Sequence, residues 1–147
     1  MGCMLSIIGE NLDIDGFVTK TNISGFHKAY KGNPINNVNP RKLKYSYCSI
    51  MTSEADSDNI ELQIDETVEF LNKYKGNLMH INNTPEIEFA TIAFGVHSII
   101  DKNHLAQNFY LKKPLITICA ELNIEIELSI YKKDMQTILE KKRNNKL

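Results

Sequence analysis

The sequence predicts a single α+β domain over residues 1–131, with a mostly antiparallel sheet and its helices packed on one face. Two observations predict this class. Stretches with strand and helix periodicity follow one another in the order β-α-β-β-α-β-α-β. The chain of 147 residues is 42% hydrophobic and 24% charged, which is typical of a globular protein with one core and outside the range of disordered chains.

The first third of the chain predicts one helix between two strands. Residues 4–9 alternate as in a strand, and Asp13 then has the residue type of a helix N-cap before a short amphipathic stretch. Residues 26–31 are a short strand candidate that ends at Gly32. Residues 32–41 are rich in Asn and Pro and therefore predict a long, exposed loop.

A third strand and the most regular helix of the chain come next. Residues 45–52 alternate as a strand, and residues 60–75 place apolar side chains on one helical stripe. Asp58 and Glu61 have the spacing of a capping box at the start of this helix. Gly76 predicts its end.

The last third predicts two further strands joined by a helix. Residues 86–98 are rich in Ile, Phe, Thr and Val, which favours a strand. Pro114 is tolerated in the first turn of a helix that continues through Leu122. Residues 124–131 alternate cleanly as the closing strand, and residues 132–147 predict a short helix with a basic tail.

Charge is divided along the chain although the formal net charge is only −1. Residues 54–69 contain only acidic charges: Glu54, Asp56, Asp58, Glu61, Asp65, Glu66 and Glu69. Residues 20–44 contain only basic ones: Lys20, Lys28, Lys31, Arg41, Lys42 and Lys44. Two fields of opposite sign can steer a charged partner toward the protein.

The acidic segment is the candidate binding site, with two interpretations. Acids at a helix N-terminus complement the helix dipole, and a polar helix face is commonly just solvated. The functional interpretation is a docking surface for a basic protein, with these contacts: Glu54, Asp56, Asp65, Glu66 and Glu69. Four further acids would extend it if their strands are neighbours: Glu86, Glu88, Glu125 and Glu127.

Three segments together carry a family resemblance: LSIIGENLD at residues 5–13, HKAYKG at residues 27–32 and LITICAELNIEIELSIY at residues 115–131. They resemble the bacterial family called domain of unknown function 4279. The resemblance implies a compact cytosolic bacterial protein, and it implies an immunity protein of a toxin system, which would bind and block a cognate toxin. It supplies no catalytic residues. Residues 33–44 depart from the family pattern.

Nucleic-acid or small-ligand binding is the alternative hypothesis. Aromatic residues lie near the basic segment and could stack on bases: Phe26, Tyr30, Tyr45 and Tyr47. The sequence pI of about 6.4 lies far below the basic range of such domains, so a protein partner is favoured.

An enzyme, a metal site and a membrane span are not expected. The four histidines are scattered without metal-ligand spacing, and no phosphate loop or nucleophile elbow is present. Three cysteines without a C-x-x-C pair predict buried free thiols and a cytoplasmic location. We therefore expect no catalytic residue and no cofactor.

Overall fold

The structure is a computed structural model that describes residues 2–132. Its strands are β1 (Cys3–Gly9), β2 (His27–Ala29), β3 (Ser46–Ser53), β4 (Phe89–Ser98) and β5 (Glu125–Lys132). Its helices are α1 (Ile14–Thr21), α2 (Ile60–Lys73), α3 (Lys75–Leu78) and α4 (Lys113–Glu121). Among the described residues, no helix is both long enough and apolar enough to cross a membrane.

The five strands form one sheet in the order β2-β3-β1-β4-β5. Every neighbouring pair is antiparallel except β4 and β5, which α4 connects as a parallel crossover. The part from β1 to β4 has the β-α-β-β-α-β order of a split βαβ, or ferredoxin-like, unit, to which α4 and β5 are added. The predicted fold class is confirmed.

One face of the sheet carries the core. The strand side chains on this face alternate with exposed ones, as in the buried positions of β1, and they pack against the apolar stripes of the helices. The strands contribute Cys3, Leu5, Ile7, Cys48, Ile50, Ala90, Ile92 and Phe94, and the helices contribute Ile14, Phe17, Ile64, Leu71, Leu115, Ile118 and Cys119. The other face, which we call the open face, has no helix on it in residues 2–132.

Glycine is required where the sheet meets the segment before β4. A Cβ added to Gly9 would lie 2.1 Å from the carbonyl oxygen of Glu86. The backbone can approach this closely only without a side chain. The contact is adjacent to the hydrogen bond that Glu88 N donates to Ile8 O at 2.9 Å, and it fixes where β4 enters the sheet.

The long helix starts at Ile60 as predicted, but its predicted N-cap and its predicted end were wrong. The N-cap is Asn59, whose side chain accepts from Leu62 N, because Asp58 turns toward β4 instead. At the other end α2 stops at Lys73, and Gly76 lies inside the separate short helix α3. The N-cap is the residue whose backbone has the cap conformation. When two neighbouring residues are both suitable caps, the sequence does not show which of them has it.

The predicted basic loop is an ordered arm. Residues 32–43 fold back on themselves through hydrogen bonds from Gly32 N to Leu43 O at 2.9 Å and from Leu43 N to Asn33 O at 2.8 Å. The side chain of Asn36 accepts from two backbone N–H groups at the tip. The prediction for residues 132–147 lies outside the described residues except for Lys132, which belongs to β5.

Candidate protein-binding surface

The loop before α2 is hydrogen-bonded to the C-terminal half of β4. His97 N donates to Ser57 O at 3.0 Å, and the buried side-chain amide of Gln63 donates to Asp56 O and Gly95 O at 2.9 and 3.0 Å. The loop thereby lies beside β4 at residues 95–97, beyond the start of β1, whose pairing with β4 begins at Met4 and Ala93. Buried backbone groups of the loop are paired, so its acidic side chains are held in defined positions.

Glu54 and Glu66 are brought together. They line a depression of about 310 Å³ with Met51, Thr52 and Ser53. The depression lies where β3 is uncovered, because β2 pairs only with residues 47–49 of that strand. Ser53 Oγ donates to Glu66 at 2.6 Å, and this bond orients the carboxylate. Two carboxylates beside an exposed thioether can hold the side chain of a partner's Arg or Lys.

The other predicted contacts lie elsewhere on the helix. Asp65 faces α4 and accepts from Lys112 Nζ at 2.6 Å, so its charge is partly neutralised. Glu69 is one turn further along and exposed. Asp56 is exposed in the loop that precedes α2. The five predicted residues therefore form a surface that curves around α2, with the depression at one side.

Four of the five predicted residues form no ion pair within residues 2–132: Glu54, Asp56, Glu66 and Glu69. Glu61 is likewise exposed and unpaired within that range, and it precedes Asp65 by one helical turn. We define the acidic surface as Glu54, Asp56, Glu61, Asp65, Glu66 and Glu69.

Glu61 and Met51 were not among the predicted contacts. Glu61 was assigned to a capping box. Its spacing of four residues from Asp65, which puts both acids on the same side of the helix, is visible in the sequence. Met51 alternates with the core residues of β3 and gave no functional signal. Only the short length of β2 leaves it beside the depression.

Two of the four acids predicted to extend this surface, Glu125 and Glu127, do not lie beside it. β4 and β5 are neighbours, but Glu125 and Glu127 alternate with Ile126 and Leu128, which pack toward the helices. The two acids therefore lie on the open face, on the other side of the sheet from α2.

Two of the four aromatic residues that could stack on bases make contacts within the fold. Tyr30 donates its hydroxyl to Asp15 at 3.0 Å, and Phe26 packs against the core. Two of the nearby cations are paired with acids, Lys28 with Asp15 and Lys31 with Glu10. These contacts favour a structural role for this segment.

No histidine or cysteine of residues 2–132 lines the depression of the acidic surface. Within residues 2–132, no group of three or more His, Cys, Asp and Glu could hold a metal ion. His97 is buried and its Nδ1 lies 2.9 Å from Asp58 Oδ1. The three cysteines are buried free thiols as predicted, and burial raises the pKa of Cys48 to about 12 and that of Cys119 to about 11. Such thiols are poor nucleophiles.

Comparison with known proteins adds the family. The family model described as domain of unknown function (DUF4279) matches residues 1–133. The chain belongs to the DUF4279 family. The match spans every described element, from β1 to β5, and confirms the resemblance seen in the sequence. No curated protein and no solved structure matches the chain.

Proposed function

We propose that this DUF4279 protein is an immunity protein that binds a basic toxin domain through the acidic surface and blocks it by occlusion. The observation that carries the proposal is the depression between Glu54 and Glu66 at the uncovered edge of β3. It offers two carboxylates and an apolar wall to one inserted cation. Asp56, Glu61 and Glu69, which form no ion pair within residues 2–132, add exposed negative charge on the loop and on α2.

A nuclease domain fits this surface by its chemistry. A nuclease must present Lys and Arg to the phosphates of its substrate. Carboxylates that occupy those cations exclude the substrate, and a negative field accelerates the encounter. The mechanism needs no catalytic residue and no cofactor in this chain.

The rigid support of the surface favours binding of a folded domain. Gln63, Asn59 and Ser53 hold the loop, the helix start and the Glu66 carboxylate in place before a partner arrives. Preorganised contacts lower the entropy that association costs. Occlusion by a fixed surface therefore accounts for the geometry without a conformational change.

A growth assay tests the proposal. Where a gene for a large secreted protein lies beside this chain's gene, the C-terminal domain of that protein is expressed alone and together with this chain. We expect co-expression to restore growth, and we expect the purified pair to form a one-to-one complex. A variant with Glu54→Lys and Glu69→Lys should lose protection, since both side chains are exposed and unpaired within residues 2–132.

The matched control reverses two acids away from the acidic surface, Glu86→Lys and Glu127→Lys. It changes the net charge equally and should protect like the wild type. Thermal unfolding confirms that both variants fold. Full protection by the Glu54→Lys, Glu69→Lys variant would overturn the assignment of the surface, and a chain that binds no basic domain at low salt would overturn the function.

A further inference from the structure

The open face of the sheet is ordered in rows across all five strands. The pairing registers place one polar residue of each strand side by side, in this order from β2 to β5: His27, Ser49, Ser6, Thr91 and Glu125. Within residues 2–132, the hydroxyls of Ser6, Ser49 and Thr91 have no hydrogen-bond partner; Ser6 and Thr91 are half-buried and Ser49 is buried. A row of hydroxyls runs through the centre of the face.

Apolar rows flank this polar row on both sides. Toward the end of the sheet where β1 finishes, the row contains Ala29, Tyr47, Ile8 and Phe89. Toward the other end, it contains Met51, Met4, Ala93 and the acid Glu127. Phe89, Met51 and Met4 are 50%, 46% and 38% exposed, which is unusual for large apolar side chains grouped on one surface.

The order of the strands makes this face self-complementary. β1 is the middle strand, and Ser6 is its middle residue on the open face. A twofold axis along β1 places β3 of one copy over β4 of the other and β2 over β5. Each row then lies over its own counterpart, so that Tyr47 meets Phe89, Ser49 meets Thr91 and Ser6 meets Ser6.

The polar side chains at the two edges also match under this axis. His27 of one copy comes to lie over Glu125 of the other, at both ends of the polar row. An axis across the strands would instead stack Glu125 on Glu125. An isologous interface requires this kind of self-matching, because both copies present the same patch.

We propose that a second copy of this chain covers the open face, with the twofold axis along β1. Strand spacing and rise give a contact of about 24 Å by about 23 Å, or ~550 Å² on each copy. This is below the ~800 Å² of a standard interface, so the dimer dissociates on dilution. The acids of the acidic surface lie on the helix side of the sheet, whereas Met51 of the depression belongs to the covered row.

Crosslinking tests the geometry of the proposed dimer. The native cysteines are buried, so Ser6→Cys introduces the accessible thiol at the axis. A short bismaleimide should link two copies of the full chain through this residue. Thr19→Cys, exposed on α1, is the matched control and should give no dimer. Failure of Ser6→Cys to crosslink above the control overturns the proposed axis.

Sedimentation tests the interface without a crosslinker. Ser6→Lys brings two like charges together at the axis and should weaken dimerisation more than about tenfold. Thr19→Lys adds the same charge outside the interface and should leave the equilibrium unchanged. A wild-type chain that stays monomeric at all concentrations, or a Ser6→Lys variant that dimerises normally, overturns the proposal. Because the acidic surface is elsewhere, Ser6→Lys should still protect against the toxin.

Discussion

The two faces of the sheet use the same strands for different purposes. Along β4, Phe94 and Ile92 point into the core and are fully buried, while Phe89 and Thr91 lie on the open face. The strand therefore supplies folding energy on one side and an exposed patterned surface on the other. The acidic surface differs from both faces of the sheet. Its charged side chains lie on α2 and the loop before it, and buried polar groups hold them in position.

The largest expected contrast is between two phenylalanines of one strand. Phe94→Ala removes a fully buried ring and should lower the free energy of unfolding by about 3–5 kcal/mol. Phe89→Ala removes a half-exposed ring and should cost less than about 1 kcal/mol in the monomer. Urea unfolding of dilute protein measures both. Equal losses would mean that the two faces do not differ in the way described.

The support of the acidic loop should show an intermediate effect. Gln63→Leu leaves the carbonyls of Asp56 and Gly95 without their donor and should cost about 1–3 kcal/mol. It should also accelerate amide hydrogen exchange in residues 54–58. Leu62→Gln, on the exposed side of the same helix, is the control and should change neither quantity by much. Unchanged exchange in the Gln63→Leu protein would show that the loop is held by other contacts.

A smaller contrast separates the observed helix cap from the predicted capping box. Asn59→Ala removes the side chain that accepts from Leu62 N and should destabilise the protein by about 1 kcal/mol. Glu61→Ala should stay within about 0.5 kcal/mol, because Glu61 is exposed and the cap does not need it. Thermal unfolding of the two variants measures both losses of stability. A larger loss for Glu61→Ala than for Asn59→Ala would support the capping box instead.

The smallest effect is a pH dependence at the exposed edge near β2. Hydrogen bonds from Lys28 and Tyr30 hold the pKa of Asp15 below its ordinary value of 3.8. Because the folded pKa is the lower one, this stabilisation is present above pH 3.8 and is lost as the pH falls through the folded value. The difference in stability between wild type and Lys28→Met should therefore shrink below that pH. A difference that stays constant in acid would contradict the pairing.

The periodic parts of the fold could be predicted from the sequence. The alternation in β1, β3 and β5 and the stripe of α2 are local consequences of burial on one side, and all of them were placed correctly to within a few residues. The caps of α2 were not, since Asp58 and Asn59 are both good cap residues and only the contact with His97 selects between them.

The binding surfaces depended on tertiary pairing that the sequence does not show. The acidic run was visible, but the grouping of Glu54 with Glu66 follows from the short β2, and the neutralisation of Asp65 follows from the position of Lys112. The rows on the open face depend on four strand registers at once. No local pattern contains that information.

The most direct test of the proposed function is the association rate between this chain and the basic toxin domain, measured at low and at moderate ionic strength. We expect wild type to associate faster at low salt, and we expect Glu54→Lys with Glu69→Lys to be slower and less dependent on salt. The Glu86→Lys, Glu127→Lys control should behave like the wild type. Equal rates for all three proteins would contradict the account, because the acidic surface would then take no part in recognition.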